Sequence, residues 1–302
     1  MSLKTYIQLS DLHFGAKGAA GNIPHLQACL KDYLRERGGA AGLGFIVTGD
    51  AVDSPSRENN ADYLDFSAWL RGITGTDPFF VLGNHDVSPY GLAFWRKNQM
   101  LIDSVGSYPR LAIDETAHVA FLLFDSNTSG VLAQGEIGAD QMEQADRLLA
   151  GLKDREGYMR VAVLHHHLVP IDESDSENST WWRRLIPDWF ERLLPGLFNQ
   201  VVELRDAPAF INFLKEHDIR FVLHGHKHLP FVREHEGIHI IACGSSTARP
   251  FTSDPRKTCL SYNVLEFGEQ ALCCRQYADN LHGEGLKLIY SREFPLHVEG
   301  SL

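Results

Sequence analysis

Cysteine is scarce in this chain. Its five thiols (Cys29, Cys243, Cys259, Cys273 and Cys274) are an odd number with no C-x-x-C pair. That argues against a disulfide framework or a cysteine-rich structural zinc site, and they read as reduced structural thiols of a cytoplasmic protein. Long apolar runs are also missing: no stretch approaches the ~20 residues that span a bilayer. The opening Met1-Ser2-Leu3-Lys4-Thr5-Tyr6 enters a strand almost at once, which leaves no room for a signal peptide. There is no internal repeat, no low-complexity linker, and no Lys/Arg run with interleaved aromatics in the first two-thirds of the chain. Basic residues are in deficit, 28 against 39 acidic ones, and the formal net charge of −11 disfavours nucleic acid as a bulk partner. The 302 residues, 44% hydrophobic and 22% charged, suit one α/β domain spanning 1–302.

Polar residues able to bind a metal recur just after short strand-like runs. Tyr6-Ile7-Gln8-Leu9 leads to Ser10-Asp11-Leu12-His13, and Phe45-Ile46-Val47-Thr48 leads to Gly49-Asp50. Phe79-Phe80-Val81-Leu82 leads to Gly83-Asn84-His85-Asp86, and Val161-Ala162-Val163-Leu164 leads to His165-His166-His167. Phe221-Val222-Leu223-His224 leads to Gly225-His226-Lys227-His228. Open α/β sheets bind ligands beyond the carboxyl ends of their strands, so this repeated pattern can bring Asp11, His13, Asp50, Asn84, His165, His226 and His228 to one rim. The glycines before Asp50, Asn84 and His226 permit tight turns and close backbone approach. Any one of these pieces alone reads as an ordinary polar turn.

In order, the pieces spell D-x-H, G-D, G-N-H-D, a run of His and G-H-x-H. This pattern resembles the calcineurin-like metallophosphoesterases, and the resemblance runs from about residue 3 to about residue 250. It implies a four-layer sandwich of two mixed β-sheets flanked by helices, with a dinuclear metal site at the strand C-terminal ends. Two divalent cations ~3.5–4 Å apart can hold the attacking and leaving oxygens of an in-line displacement at phosphorus. Asp50 is the candidate bridge, because a carboxylate offers two oxygens and a negative charge. The resemblance assigns Asp11, His13 and His228 to one metal and Asn84, His165 and His226 to the other. Imidazole, carboxylate and amide donors without thiolate suit Mn, Fe, Co, Ni or Zn, and the nucleophile so implied is a hydroxide between the ions. His85 is expected off the metals, facing substrate, to donate a proton to the leaving oxygen. Asp53 is expected to hold its tautomer; Asp86 competes for that role or caps the turn. His165 is the expected ligand of its run, with His166 behind it or touching substrate and His167 on the surface or in packing. His224 is expected to complete a buried strand. His25, His118, His217, His235, His239, His282 and His297 carry no motif and read as ordinary.

Departures from the family pattern narrow the substrate. Protein Ser/Thr phosphatases carry phosphate-gripping arginines where this chain has Ser54 and Leu82, and purple acid phosphatases carry an iron-bound tyrosine where it has Asp53. The His-His doublet and short Gly-His-Lys-His look most like bacterial class III cyclic-nucleotide phosphodiesterases. The expectation is therefore a phosphodiesterase acting on a small or cyclic-nucleotide-like substrate. A phosphomonoesterase or nucleotide pyrophosphatase is the alternative within the class, and a non-catalytic scaffold of the same fold the alternative outside it. Gly244-Ser245-Ser246-Thr247-Ala248-Arg249 follows a strand, and Arg249 can grip phosphate oxygens bidentately or simply close a polar turn.

The periodicity predicts strands near 4–9, 44–48, 78–82, 108–113, 118–124, 158–164 and 219–224, and helices near 22–37, 58–71 and 138–152. From about residue 230 the pattern is β-rich, with strands near 230–235, 238–243, 259–266, 270–277 and 286–290. An insertion at about 169–207 opens with an acidic loop and continues Trp181-Trp182-Arg183-Arg184-Leu185-Ile186-Pro187-Asp188-Trp189-Phe190, with apolar pairs at helical spacing. A flap packed on the domain, a lid over the metals, a face for homo-oligomerisation and an interfacial membrane contact all fit it. Lid or dimer face is favoured, since it follows a proposed ligand.

Overall fold

Side-chain alternation along the first strands already sorts the core into layers. The computed structural model describes residues 4–88, 98–128, 134–152, 157–169, 204–249 and 259–295. Its first half runs β1 (Lys4–Leu9), α1 (Ala19–Arg37), β2 (Leu43–Thr48), α2 (Arg57–Thr74), β3 (Phe79–Val81), α3 (Asn84–Val87) and α4 (Gln99–Val105). The middle runs β4 (Arg110–Asp114), β5 (Val119–Leu123), α5 (Ala139–Ala150), β6 (Met159–Val163), α6 (Ala207–Glu216) and β7 (Phe221–His224). Hairpin-rich chain follows: β8 (Phe231–His235), β9 (Ile238–Ala242), β10 (Leu260–Phe267), β11 (Ala271–Asp279) and β12 (Lys287–Pro295).

These strands form two six-stranded mixed sheets, ordered β12-β11-β10-β1-β2-β3 and β4-β5-β6-β7-β9-β8. The β1, β2 and β3 strands are parallel, as are β5, β6, β7 and β9, while β10 runs antiparallel beside β1. Successive residues of a strand point to opposite faces. Ile7, Leu9, Phe45 and Val47 accordingly pack with Leu26 and Leu30 of α1 and Tyr63 and Phe66 of α2. Their neighbours Tyr6 and Ile46 turn the other way and meet Phe121, Val163 and Leu223 between the sheets. On the far side, Leu122, Ala162 and Val222 pack with Ala145 and Leu149 of α5 and Phe210 and Leu214 of α6. The result is helix, sheet, sheet, helix, the four layers expected.

Element boundaries follow local chemistry. Ser56 caps α2, its hydroxyl accepting the Asn59 amide at 2.9 Å, and Gly75 ends it in the left-handed region. The α1 helix begins three residues before the expected 22, because Ala19 and Ala20 are strong helix formers and Pro24 forfeits a hydrogen bond without ending the helix. The β12 strand reaches Pro295, beyond the expected 290. Its burial scarcely alternates, so pairing with β11 decides its length rather than any pattern of its own. Residues 170–203, which hold nearly all of the expected helical insertion, lie outside the described residues. Among the described residues no helix is long and apolar enough to cross a membrane.

A buried tyrosine hydrogen bond helps join the two sheets near the start of β1. The Tyr6 hydroxyl on β1 donates to Asp114 Oδ2 on β4 at 2.7 Å, with Lys4 Nζ 3.5 Å from the same oxygen. Burial raises the Asp114 carboxyl, but the Tyr6 hydroxyl, the Ala117 and Thr116 amides and Lys4 together bring it below the usual carboxylate range. Stability from this group is therefore present above the ordinary carboxylate pKa and lost as pH falls through its lowered native value. Tyr6→Phe is expected to cost about 1–2 kcal/mol at neutral pH, measured by urea unfolding, and less in acid. An equal cost at both pH values would place the loss in packing instead.

Candidate dinuclear metal centre

Asp11, His13, Asp50, His226 and His228 share a backbone conformation rare for residues with a Cβ: their φ angles are 51°, 48°, 50°, 76° and 56°. Left-handed single residues are costly, are tolerated best by Asn, Asp and His, and cluster at functional sites. Here they let each loop reverse directly after its strand and aim a side chain at the common rim. Main-chain bonds then lock the loops together. Asp11 N donates to Gly49 O at 3.0 Å, His13 N to Asp50 O at 2.9 Å, Gly225 N to His165 O at 3.1 Å and Ser246 N to Ser10 O at 2.8 Å. Gly225 lets its loop approach the β1 loop closely, since a Cβ there would sit 1.8 Å from Ser10 Oγ and 2.6 Å from Asp11 Oδ2.

Each carboxylate divides its two oxygens between tasks. Asp11 Oδ2 accepts the His226 amide at 3.0 Å, while its Oδ1 is buried with no hydrogen-bond partner. Asp50 Oδ1 accepts the His85 amide at 2.8 Å, and its Oδ2 lies 3.7 Å from His13 Nε2 and 3.4 Å from His165 Nε2. Around Asp11 Oδ1 stand His228 Nε2 at 3.3 Å and His13 Nε2 at 3.9 Å, these two nitrogens being 3.0 Å apart. Around His165 Nε2 stand Asn84 Oδ1 and His226 Nδ1, each at 3.2 Å. The atoms form two groups, Asp11, His13, His228 and Asn84, His165, His226, with Asp50 Oδ2 between them. Metal bonds of ~2.0–2.2 Å place neighbouring donors roughly 3.0–3.5 Å apart. The 3.0–3.3 Å separations in each group suit one divalent cation, and His13 Nε2 stands slightly wider, 3.9 Å from Asp11 Oδ1 and 3.7 Å from Asp50 Oδ2.

Second partners set which nitrogen faces inward. His165 Nδ1 lies 2.8 Å from Thr48 O, so it carries the proton and leaves Nε2 as the donor atom; His228 Nδ1 is held in the same way 3.0 Å from Arg249 O. The electrostatics also suit a cation. Burial lowers His13 and His226 well below the ordinary imidazole range, leaving them neutral. Burial would also lower His165, but Asp50 beside it outweighs burial and raises it to about 9. Burial would raise Asp50, but the positive fields of His165 and His85 hold it well below the carboxylate range. Two buried carboxylates thus face the neutral rings of His13 and His226 and a His165 drawn toward its charged form, in a pocket of mixed N and O donors.

The remaining expected site residues fall in more varied places. His85 is half-buried at the mouth, its Nδ1 2.8 Å from the main-chain carbonyl of Asp53, so the Asp53 side chain is not what holds it. The Asp53 carboxylate pairs with Arg249 and lies 3.7 Å from His13 Nδ1. Asp86 takes the capping role: its carboxylate accepts the Gly83 amide at 2.8 Å and the Val52 amide at 3.0 Å, pinning the loop that carries Asn84. His166 is 1% exposed, its Nδ1 2.7 Å from Ser126 Oγ and its ring 4.6 Å from that of His226. His167 is buried too and stacks on His226, a packing residue rather than a surface one. His224 completes buried β7 as expected. Thr48 and Ser126 were missed by sequence reading. A main-chain acceptor and a lone serine carry no motif.

Residues 4–230 match the calcineurin-like phosphoesterase family, and the chain belongs to that family. Its two mixed sheets flanked by helices are the family's fold. Among curated proteins, it is 26% identical over 214 residues to one from Psychrobacter arcticus named "probable cyclic nucleotide phosphodiesterase", a match covering 67% of this chain and 62% of that protein. Among solved structures, GAP50, described as the anchor in the inner membrane complex of Plasmodium, aligns at 12% identity and a TM-score of 0.56, covering 98% of this chain and 90% of the other. Vacuolar protein sorting 29 of Cryptosporidium parvum aligns at 14% identity and a TM-score of 0.45, covering 97% and 98%.

Occupancy of the centre is directly measurable. Adding Mn²⁺ or Zn²⁺ to chelated protein is expected to raise the thermal midpoint, with about 2.7 kcal/mol of added stability at a hundredfold excess over Kd. Asp50→Asn should remove most of that rise. An unresponsive wild-type chain would contradict the reading of these groups as metal ligands.

Proposed function

We propose that this phosphoesterase-family chain is a phosphodiesterase acting on small phosphodiesters, with two divalent cations held by Asp11, His13 and His228 and by Asn84, His165 and His226, and bridged by Asp50. The observation that carries the proposal is the position of Asp50 Oδ2, within 3.7 Å of His13 Nε2 and 3.4 Å of His165 Nε2 and thus open to both groups at once. Cations bound there supply Lewis-acid charge at phosphorus and lower the pKa of water.

The chain's own residues supply the rest. His85 sits at the mouth with Nδ1–H directed to the Asp53 carbonyl, which leaves Nε2 to face the substrate. In the cationic ring Nε2–H is the proton that passes to the leaving alkoxide or phenoxide. Asp53 acts through its carbonyl on His85 and through its carboxylate on Arg249. His166, buried against His226, steadies that ring rather than touching substrate. Arg249 is 27% exposed, and its guanidinium is shared with Asp53. A partly neutralised arginine suits a singly charged diester better than a doubly charged monoester. The name of the Psychrobacter arcticus relative supports the same preference.

With Mn²⁺ restored after chelation, bis-p-nitrophenyl phosphate and cyclic AMP are expected to turn over faster than p-nitrophenyl phosphate. A strong preference for the monoester would overturn the phosphodiesterase assignment. His85→Ala with both metals retained should lose about 10²–10⁴-fold in kcat. If turnover survives that change, His85 is not the proton donor; if the wild type turns over none of the three, the scaffold alternative gains.

A further inference from the structure

Away from this centre, three side chains converge where α1 meets the end of β11. His25 Nε2 lies 2.8 Å from Asp279 Oδ2, and Cys29 Sγ lies 3.8 Å from the same nitrogen. The three donor atoms all lie within 4.8 Å of one another. Helical geometry produces half of the arrangement, since residues four apart share one face of α1. The end of β11 supplies the other half: Asp279 Oδ1 is occupied by the Leu281 amide at 2.8 Å, which turns Oδ2 toward the helix. Cys29 and Asp279 are buried, whereas His25 is 43% exposed.

Two readings of a Cys-His-Asp cluster compete, and the ring nitrogens decide between them. A nucleophilic relay uses both, one toward the thiol and one toward the carboxylate. Here both neighbours meet Nε2, so no relay exists, and three donors instead surround one point. We infer that His25, Cys29 and Asp279 form a separate site for a single zinc-like cation, binding through Nε2, Sγ and Oδ2 with the fourth position open on the exposed side of His25. Tetrahedral zinc with bonds of ~2.0–2.3 Å places its donors roughly 3.3–3.8 Å apart. The sulfur-nitrogen separation already meets that range. The nitrogen-oxygen hydrogen bond opens to it by a small rotation of the half-exposed imidazole.

Charge favours the same occupant. Burial, then Asp279 and Asp32, push the Cys29 thiol up to about 11, so the free thiol is unreactive near neutrality and sits in a negative field. On binding, Cys29 releases its proton to solvent, the proton His25 Nε2 shares with Asp279 is lost to solvent while Nδ1 carries the ring's one remaining hydrogen, and the freed Nε2 and Asp279 Oδ2 both turn to the metal. The mixed S, N and O set favours Zn²⁺ or Co²⁺ over Mg²⁺ or Ca²⁺.

Cobalt makes the site visible apart from the dinuclear centre, whose proposed donors include no sulfur. Full-length protein titrated with Co²⁺ is expected to develop a sulfur-to-cobalt charge-transfer band that persists in Asp50→Asn and disappears in Cys29→Ser. His25→Ala should bind about one equivalent less Zn²⁺ than wild type by equilibrium dialysis, with unchanged circular dichroism and unchanged phosphodiester turnover. No such band in the wild type, or one that survives both Cys29→Ser and His25→Ala, overturns the inference and leaves the cluster as a hydrogen-bonded clasp between α1 and β11. The cobalt band and the zinc stoichiometry are read whether or not the chain turns over phosphodiesters.

Discussion

Two buried carboxylates that each keep one oxygen in reserve are the constraint around which the rest of the rim is organised. Asp11 and Asp50 spend one oxygen apiece on a main-chain amide from another loop, that of His226 and that of His85. Those bonds fix where the second oxygen points. A charge buried without a partner is too costly to keep, so an arrangement of this kind implies compensation by something cationic. In the chain itself that compensation falls on His165, whose ring is drawn toward the protonated form by Asp50. Divalent cations are the stronger answer to the same imbalance.

The fold's contribution is to make this costly arrangement rigid. Strands from both sheets end at the same rim, and left-handed residues turn the chain after β1, β2 and β7. The strain is held by the cross-loop main-chain bonds and by a core that fills both faces of each sheet. The Tyr6–Asp114 hydrogen bond and the aromatic cluster of Tyr6, Phe79, Phe121 and Phe267 tie the sheets to each other beneath the site. A small sliding of one sheet over the other would separate Asp11 from His226 and Asp50 from His165 together.

Much of this is legible in the sequence. Short apolar runs ending in Asp, Asn or His mark strand ends, and the order of those endings carries the family resemblance. Strand positions and the α1, α2 and α5 helices followed from periods of two and of about 3.6 residues, whereas α4 (Gln99–Val105) and α6 (Ala207–Glu216) were not anticipated. Legibility failed where the partner is a main-chain atom or lies far along the chain. Asp53 resembles a carboxylate that orients His85, yet its carbonyl does so while its side chain turns to Arg249. Asp86 could be read as orienter or cap, and only the positions of the Gly83 and Val52 amides select the cap. His25 and Cys29 read as ordinary because Asp279, the group that completes their cluster, is remote in sequence.

By itself, then, the sequence determined local quantities: which segments extend, which coil, which residue types stand at each strand end, and that glycine precedes three of them. These depend on neighbours a few residues apart, so a linear reading recovers them. Only the tertiary structure decided which oxygen of Asp50 faces both histidine groups, which nitrogen each ring presents, and that β10 returns beside β1 with β11 next to it, to bring Asp279 against α1. The physical reason is that hydrogen bonds and charge compensation are settled by atoms in contact, and those contacts form when segments remote in the chain pack together.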